Sequence, residues 1–178
     1  MKTEDVLQFR KPTYKDEKAV MEFKQEFVEA DSSLDETNCL EKYDDYSEWL
    51  KNVEAYASYT TIPNKTHVTS STYLVIRESD KRLIGMVNIR HTLNDFLLRM
   101  GCHIGDGVRP TERRKGYATE IIRLALEKCR EFGIQKVLIT CRKDNIGSAK
   151  SIQANGGQLE NEILEKEYIM QRYWIKIK

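Results

Sequence analysis

The residues most able to do chemistry stand together at Arg113, Arg114, Lys115, Gly116, Tyr117 and Ala118: three cations, a residue with no side chain, and the opening of an amphipathic run. The N-terminus of a helix offers unpaired N–H groups and a partial positive charge, which suits a phosphate. Gly116 would let an anion approach the backbone closely, and Ala118 is nearly as small. Arg113, Arg114 and Lys115 would add positive potential around the same turn. The implied chemistry is the cradling of a pyrophosphate. The spacing is neither GxxxxGK[ST] nor GxGxxG. Six residues alone are equally consistent with a solvated basic turn closed by a glycine.

The four cysteines, Cys39, Cys102, Cys129 and Cys141, are scattered, with no CxxC and no histidine at zinc-finger spacing. Reduced structural thiols are the expectation, and no metal is expected. A nucleophilic Cys102 or Cys141 is conceivable, but nothing beside either marks an activated thiolate. The 178 residues, 40% hydrophobic and 32% charged, are enough for a core and suggest one domain. A net charge of +1 argues against nucleic acid or an anionic membrane as the main partner. No apolar run approaches the roughly 20 residues that cross a bilayer, and the polar start MKTEDVLQFR has no signal-peptide core. A soluble, cytoplasmic protein is the expectation.

The elements that must position the basic turn follow from periodicity. Strands are expected over 6–13, 72–79, 84–92, 101–110, 134–141 and 168–177. The residues 80–83 form a hairpin turn. Thr13 reads as the cap of a first helix whose stripe is Ala19, Val20, Phe23, Phe27 and Val28. The residues 30–38 break that helix, and a second spans about 41–57. The basic turn opens a strong helix over 117–133 that ends at Gly133, and 142–157 holds a turn, a short helix and a double glycine. Antiparallel strands early and a strand–helix–strand crossover late give an α/β (α+β) fold with a mixed, largely antiparallel sheet and helices on both faces.

In that map, VRPTERRKGYATEIIRLAL resembles the acetyl-CoA-binding motif of the GNAT superfamily of N-acetyltransferases. The pattern [RQ]-x-x-G-x-[GA] is met by Arg113, Gly116 and Ala118, between a strand and a helix. A second segment follows at the family's distance: VLITCRKDNIGSAKSIQANGG, with Asn145, Ser148 and Gly156. The likeness covers about 70–178 well and extends to a bacterial branch of acetyltransferases. It implies one GNAT-like domain over 1–178 with its acetyl-CoA-binding core at about 84–157.

The resemblance implies that N–H groups from about Arg114 to Thr119, Tyr117 included, hold the pyrophosphate. The strand ending at Val108 would splay from the one at 134–141, with the pantetheine arm between them. The backbone around Val108 would bind that arm and polarise the thioester carbonyl. Asn145 and the region of Ser148 would meet the far side of the cofactor. An amine then attacks the thioester directly, once a base or a water chain has taken its proton. The family puts a base on the strand before the motif, where this chain has His103 and Asp106. On alternating positions they face opposite sides, so at most one faces the substrate. His103 has the better ordinary pKa, about 6.5, but a hydrogen-bonded structural histidine is the slightly favoured reading, and Asp106 reads more often as a turn or edge carboxylate. His67 and His91 are weaker candidates. The tyrosine that often protonates the leaving thiolate is replaced by Ile152. Solvent, Ser148 or another tyrosine remain for that role.

Acceptor groups are expected from 41–60, 61–71 and 92–101, with Asp44, Asp45 and Glu48 able to attract a cation or to form a solvated face. The expected partners are acetyl-CoA and an amine acceptor, with no nucleic acid, no membrane and room for a homodimer. A CoA-binding sensor that keeps the fold without the catalysis is the alternative, motivated by Ile152.

Overall fold

The structure is a computed structural model that describes residues 3–34 and 36–177. Met1, Lys2, Asp35 (within the expected break at 30–38) and Lys178 lie outside the described residues. The strands are β1 (Leu7–Arg10), β2 (Ser70–Arg77), β3 (Leu83–Arg90), β4 (Ile104–Val108), β5 (Lys136–Arg142), β6 (Gln158–Glu165) and β7 (Tyr168–Lys176). The helices are α1 (Glu17–Glu29), α2 (Tyr46–Tyr56), α3 (Asp95–Met100), α4 (Tyr117–Glu131) and α5 (Ile146–Ala154). Four strands pair in the order β1-β2-β3-β4 and three in the order β5-β7-β6, and every pairing is antiparallel. The mixed α/β architecture expected from the sequence is present, with helices on both faces.

Two apolar layers sandwich the first sheet. Strands β2 and β3 are buried at seven of their eight positions each, which is why they read as near-continuous apolar runs. On one face Val75, Ile84, Val87 and Ile89 pack with Ile121, Ile122 and Ala125 of α4 and Ile152 of α5. On the other, Leu74 and Met86 pack with Val20, Phe23 and Phe27 of α1 and Trp49 and Val53 of α2. Thr13 and Asp16 form a capping box at the turn before α1. Val28, expected in the stripe of α1, is 60% exposed: it shares the last turn with buried Phe27 but points off the face that packs on the sheet.

Several boundaries differ from the expectation. Helix α2 begins at Tyr46 because the Asp45 side chain accepts the Ser47 N–H at 2.7 Å and fixes the start there. The connection at 92–101 contains the short helix α3, capped by Asn94. The strand expected over 101–110 is ordered as a strand only over Ile104–Val108. The sequence reading omits β6 altogether. Its residues QLENEILE are exposed or only half-buried throughout, so no alternation toward a core marks it; pairing with β7 makes it a strand.

Candidate active site

Strand β4 is the last strand of the first sheet. The Arg90 N–H donates to the His103 carbonyl and the Arg109 N–H donates to the Ile84 carbonyl, each at 2.8 Å. Alternation along this antiparallel ladder turns the peptide groups of Ile104, Asp106 and Val108 to the other side, toward β5. There β4 and β5 meet at one point. The His103 N–H donates to the Leu138 carbonyl at 2.8 Å, and the Leu138 N–H donates to His103 Nδ1 at 2.9 Å. Past that point the strands part. Residues 104–108 form one wall of a cleft of about 1100 Å³, and 140–142 form the other.

The basic turn closes one end of the cleft. Arg114 and Gly116 both have positive φ, 63° and 86°, and Gly116 is the N-cap of α4 with no side-chain cap. A left-handed N-cap is where a glycine is favoured. The first intrahelical bond from this end is Glu120 N–H to the Gly116 carbonyl, so the N–H groups of Tyr117, Ala118 and Thr119 have no partner within the helix. Ala118 and Thr119 line the cleft.

The side chains of the turn divide in role. Arg114 is exposed and has no ion pair among the described residues. Lys115 Nζ donates to Glu112 at 2.8 Å, a buried carboxylate that also receives Arg77. Tyr117 is 2% exposed, and its hydroxyl bonds Asp5 and Arg77, so only its backbone can face a ligand. Arg113 reaches back to β4 and α1. Across the cleft, the Asn145 side chain caps α5 by accepting the Ser148 N–H at 3.1 Å, and both residues line the wall. Thr119 Oγ1 donates to Ser151 Oγ at 3.3 Å, joining α4 to α5.

The two proton-transfer candidates sit in opposite electrostatic situations. His103 is buried at the junction of β4 and β5. Its Nδ1 accepts a backbone N–H, which puts the ring proton on Nε2. Burial, with Arg90 nearby, pulls its pKa down to about 4. Asp106 is half-buried and lines the cleft, and no hydrogen bond from a described residue reaches its carboxylate. Burial, with the like charge of Glu36, pushes its pKa up to about 7. His67 and His91 do not line the cleft: His67 bonds Tyr56, and His91 bonds Thr69 and Ser71.

Glu36 and its neighbours were not foreseen. The residues 41–60, 61–71 and 92–101, expected to supply acceptor groups, contribute nothing to the cleft lining. Asp45 caps α2 and Asp44 pairs with Lys24 at 3.5 Å, as a solvated face does. The wall opposite α4 is instead made by Phe27, Ser32, Leu34, Glu36 and Thr37. Gly105 makes this possible: a Cβ there would lie 1.6 Å from Glu36 Oε2, so the carboxylate rests directly on the bare backbone of β4. The sequence signal that could have found it is the pair of glycines in IGDGV, which marks a close approach to the strand. Ile152, at the family's tyrosine position, is fully buried and presents no group to the cleft. The Cys102 and Cys141 thiols are buried with raised pKa, the opposite of an activated thiolate. No group of His, Cys, Asp and Glu that could hold a metal occurs among the described residues, and no helix there is long and apolar enough to cross a membrane.

The model of the acetyltransferase (GNAT) domain matches residues 3–158, and the chain belongs to this family of acetyltransferases. Domains of the family use acetyl-CoA as co-substrate. Among solved structures, a GNAT-family acetyltransferase from Bacillus anthracis is 21% identical, with 99% of this chain and 97% of that one covered and a TM-score of 0.61. The acetyl transferase of Salmonella typhimurium that modifies the N-terminal serine of a 50S ribosomal subunit protein is 16% identical, with 99% and 97% covered and a TM-score of 0.66. The dodecameric spermidine N-acetyltransferase of Vibrio cholerae is 16% identical, with 96% and 93% covered and a TM-score of 0.65. At these identities the likeness is one of fold. No curated protein matches the sequence.

Proposed function

We propose that the protein is an N-acetyltransferase that moves the acetyl group of acetyl-CoA directly to a primary amine of a small molecule, a peptide or a protein. One observation carries this reading. A single cleft holds helix-start N–H groups without an intrahelical partner at one end and, along the same wall, a carboxylate with no hydrogen-bond partner among the described residues and a pKa near neutrality.

The residues present fit the cofactor. The N–H groups of 114–119 receive the pyrophosphate, with Arg114 exposed beside them as a counter-charge. The pantetheine arm lies where β4 and β5 part, bonded to the Asp106 peptide group and the Val108 N–H that the ladder leaves open, the Val108 carbonyl being taken by Arg113. Asn145 and Ser148 form the far wall.

An acceptor amine with a lysine-like pKa of about 10.4 arrives as an ammonium. Two carboxylates in the cleft, Glu36 and Asp106, favour its approach. Asp106 takes the proton, directly or through water, since a base tuned near neutrality both exists in the right state and holds the proton well. His103 is assigned a positioning role instead, because its acceptor nitrogen is engaged at the β4–β5 junction. The nitrogen then bonds the acetyl carbon, the carbon–sulfur bond breaks, the CoA thiolate takes through water the second proton that the nitrogen sheds, and Asp106 returns the first to solvent. A thiolate is a weaker base and a better leaving group than an alkoxide, so the buried Ile152 in place of tyrosine is tolerable. Neighbours of the fold that act on spermidine or on an N-terminal serine support an amine acceptor. Four free cysteines suit a reducing cytoplasm.

Ile152 is also the one observation that favours a CoA-binding sensor. Calorimetric titration with acetyl-CoA and CoA, followed by CoA release across a panel of primary amines, tests both readings. Saturable binding and release with at least one amine are expected. Binding without release from any amine would leave the sensor, and no binding by folded protein would refute the cradle.

A further inference from the structure

Arg113 holds the first position of the cofactor motif and lines the cleft, and its guanidinium is engaged by the end of β4 and by the chain after α1. Nε donates to the Val108 carbonyl at 3.1 Å, Nη2 donates to Ser32 Oγ at 2.7 Å, and the guanidinium lies 5.3 Å from the centre of the Phe27 ring. Phe27 is buried in the last turn of α1, and Ser32 follows that helix by three residues. One planar fork therefore joins the end of β4, the end of α1 and the chain that leaves it. Only arginine can make two directed bonds and a stacking contact at once.

The chain after α1 matters because of where it leads. Ser32, Leu34 and Glu36 line the cleft opposite α4, and Glu36 rests on Gly105, beside Asp106. Leu34 is buried, the Ser32 N–H donates to the Phe27 carbonyl at 2.9 Å, and the Thr37 carbonyl accepts from Trp49 Nε1 at 3.0 Å. Those contacts anchor the segment to the α1–α2 layer. The Arg113–Ser32 bond ties it to the cofactor turn and to β4. Pyrophosphate binding does not need this side chain, since the backbone N–H groups and the exposed Arg114 already stand at the turn.

We propose that Arg113 is a positioning residue for the acceptor wall: by tying Ser32 to the end of β4 it acts with the Arg90–Glu36 ion pair, at 3.6 Å, to set where the acceptor amine lies relative to Asp106. The inference rests on the function proposed above and adds to it a residue that acts on the second substrate from within the cofactor motif.

The test uses the full chain with Arg113→Lys, which keeps the charge but loses the fork, and Ser32→Ala, which leaves Arg113 in place. Amide hydrogen exchange in peptides covering 30–37 is expected to quicken about tenfold in both variants as the local tie opens. Acetyl-CoA affinity by calorimetry should stay within about twofold, as expected when the phosphate contacts are backbone. With acetyl-CoA saturating and 1,4-diaminobutane as the probe amine, KM for the amine should rise about fivefold while KM for acetyl-CoA holds, a split that general loosening of the fold would not give. A large loss of acetyl-CoA affinity in Arg113→Lys with unchanged exchange would overturn the proposal and make Arg113 a phosphate ligand. So would a Ser32→Ala protein that matches wild type in exchange and amine KM. A wild-type protein that turns over no amine removes the proposed function and this role together, whereas turnover without the split removes this role alone.

Discussion

Replacing Asp106 by asparagine keeps the shape of the side chain and removes its charge, so activity and stability should move in opposite directions. The carboxyl is pushed from its ordinary 3.8 to about 7, first by burial and then by Glu36. A base with that pKa is about one-tenth ionised at pH 6 and about one-hundredth at pH 5, so wild-type kcat/KM should fall tenfold per unit below neutrality. The variant should lose about 10²–10⁴ in kcat/KM and the acid limb with it. Stability follows by linkage. Between about pH 4 and 7 the folded chain holds a proton on Asp106 that the unfolded chain has released, so stability from this group is present at acid pH and lost as pH rises to 7. A shift of that size corresponds to roughly 4 kcal/mol as an upper bound. Solvent reaches part of the side chain, and screening reduces the expectation to about 2 kcal/mol. For a chain of this size Asp106→Asn should therefore raise Tm by about 4–8 °C at pH 8 and leave it unchanged at pH 4. Calorimetric unfolding at the two pH values and a pH–rate profile read both effects. An Asp106→Asn protein with wild-type rates, or with the same Tm as wild type at pH 8, would refute the reasoning.

Glu36→Gln removes the like charge beside Asp106, so the acid limb of the rate profile should move to lower pH, by less than about one unit because burial is the larger cause; a limb that stays in place refutes the coupling. His103→Ala removes the acceptor of the buried Leu138 N–H, and should cost about 1–3 kcal/mol in denaturant unfolding. The midpoint of its acid limb should match wild type, and a displaced midpoint would return His103 to the proton-transfer role. Gly116→Glu places a side chain at a φ of 86° and a negative charge at the mouth of the cleft, so the folded protein should show no calorimetric heat with acetyl-CoA. Binding at wild-type affinity would mean that the phosphates lie elsewhere.

Much of the fold was legible because its central strands are buried on both faces and its helices on one. The runs at 72–79 and 84–92 and the stripe at Val20, Phe23 and Phe27 need no tertiary knowledge, since burial of those residues leaves few alternatives. Strand β6 was illegible for the converse reason: an exposed edge strand puts little in the core and is defined by its hydrogen bonds to β7. The start of α4 was legible because Gly116 stands where only a left-handed residue fits, directly before an amphipathic run. The acceptor wall was not, because Glu36 comes from a break between two helices and reaches β4 only through long-range packing.

The sequence by itself determined the order of six of the strands and four of the helices, the basic glycine turn at the head of α4, and the family likeness that follows from these. Only the tertiary structure decided the chemistry of the two candidates on β4. By residue type His103 is the natural base and Asp106 a weak one. Burial penalises whichever form carries charge, so it pulls the imidazole down to about 4 and pushes the carboxyl up to about 7, and their order is reversed. That reversal depends on Leu138, Arg90 and Glu36 being brought to β4 from other parts of the chain, and no local pattern of residues records it.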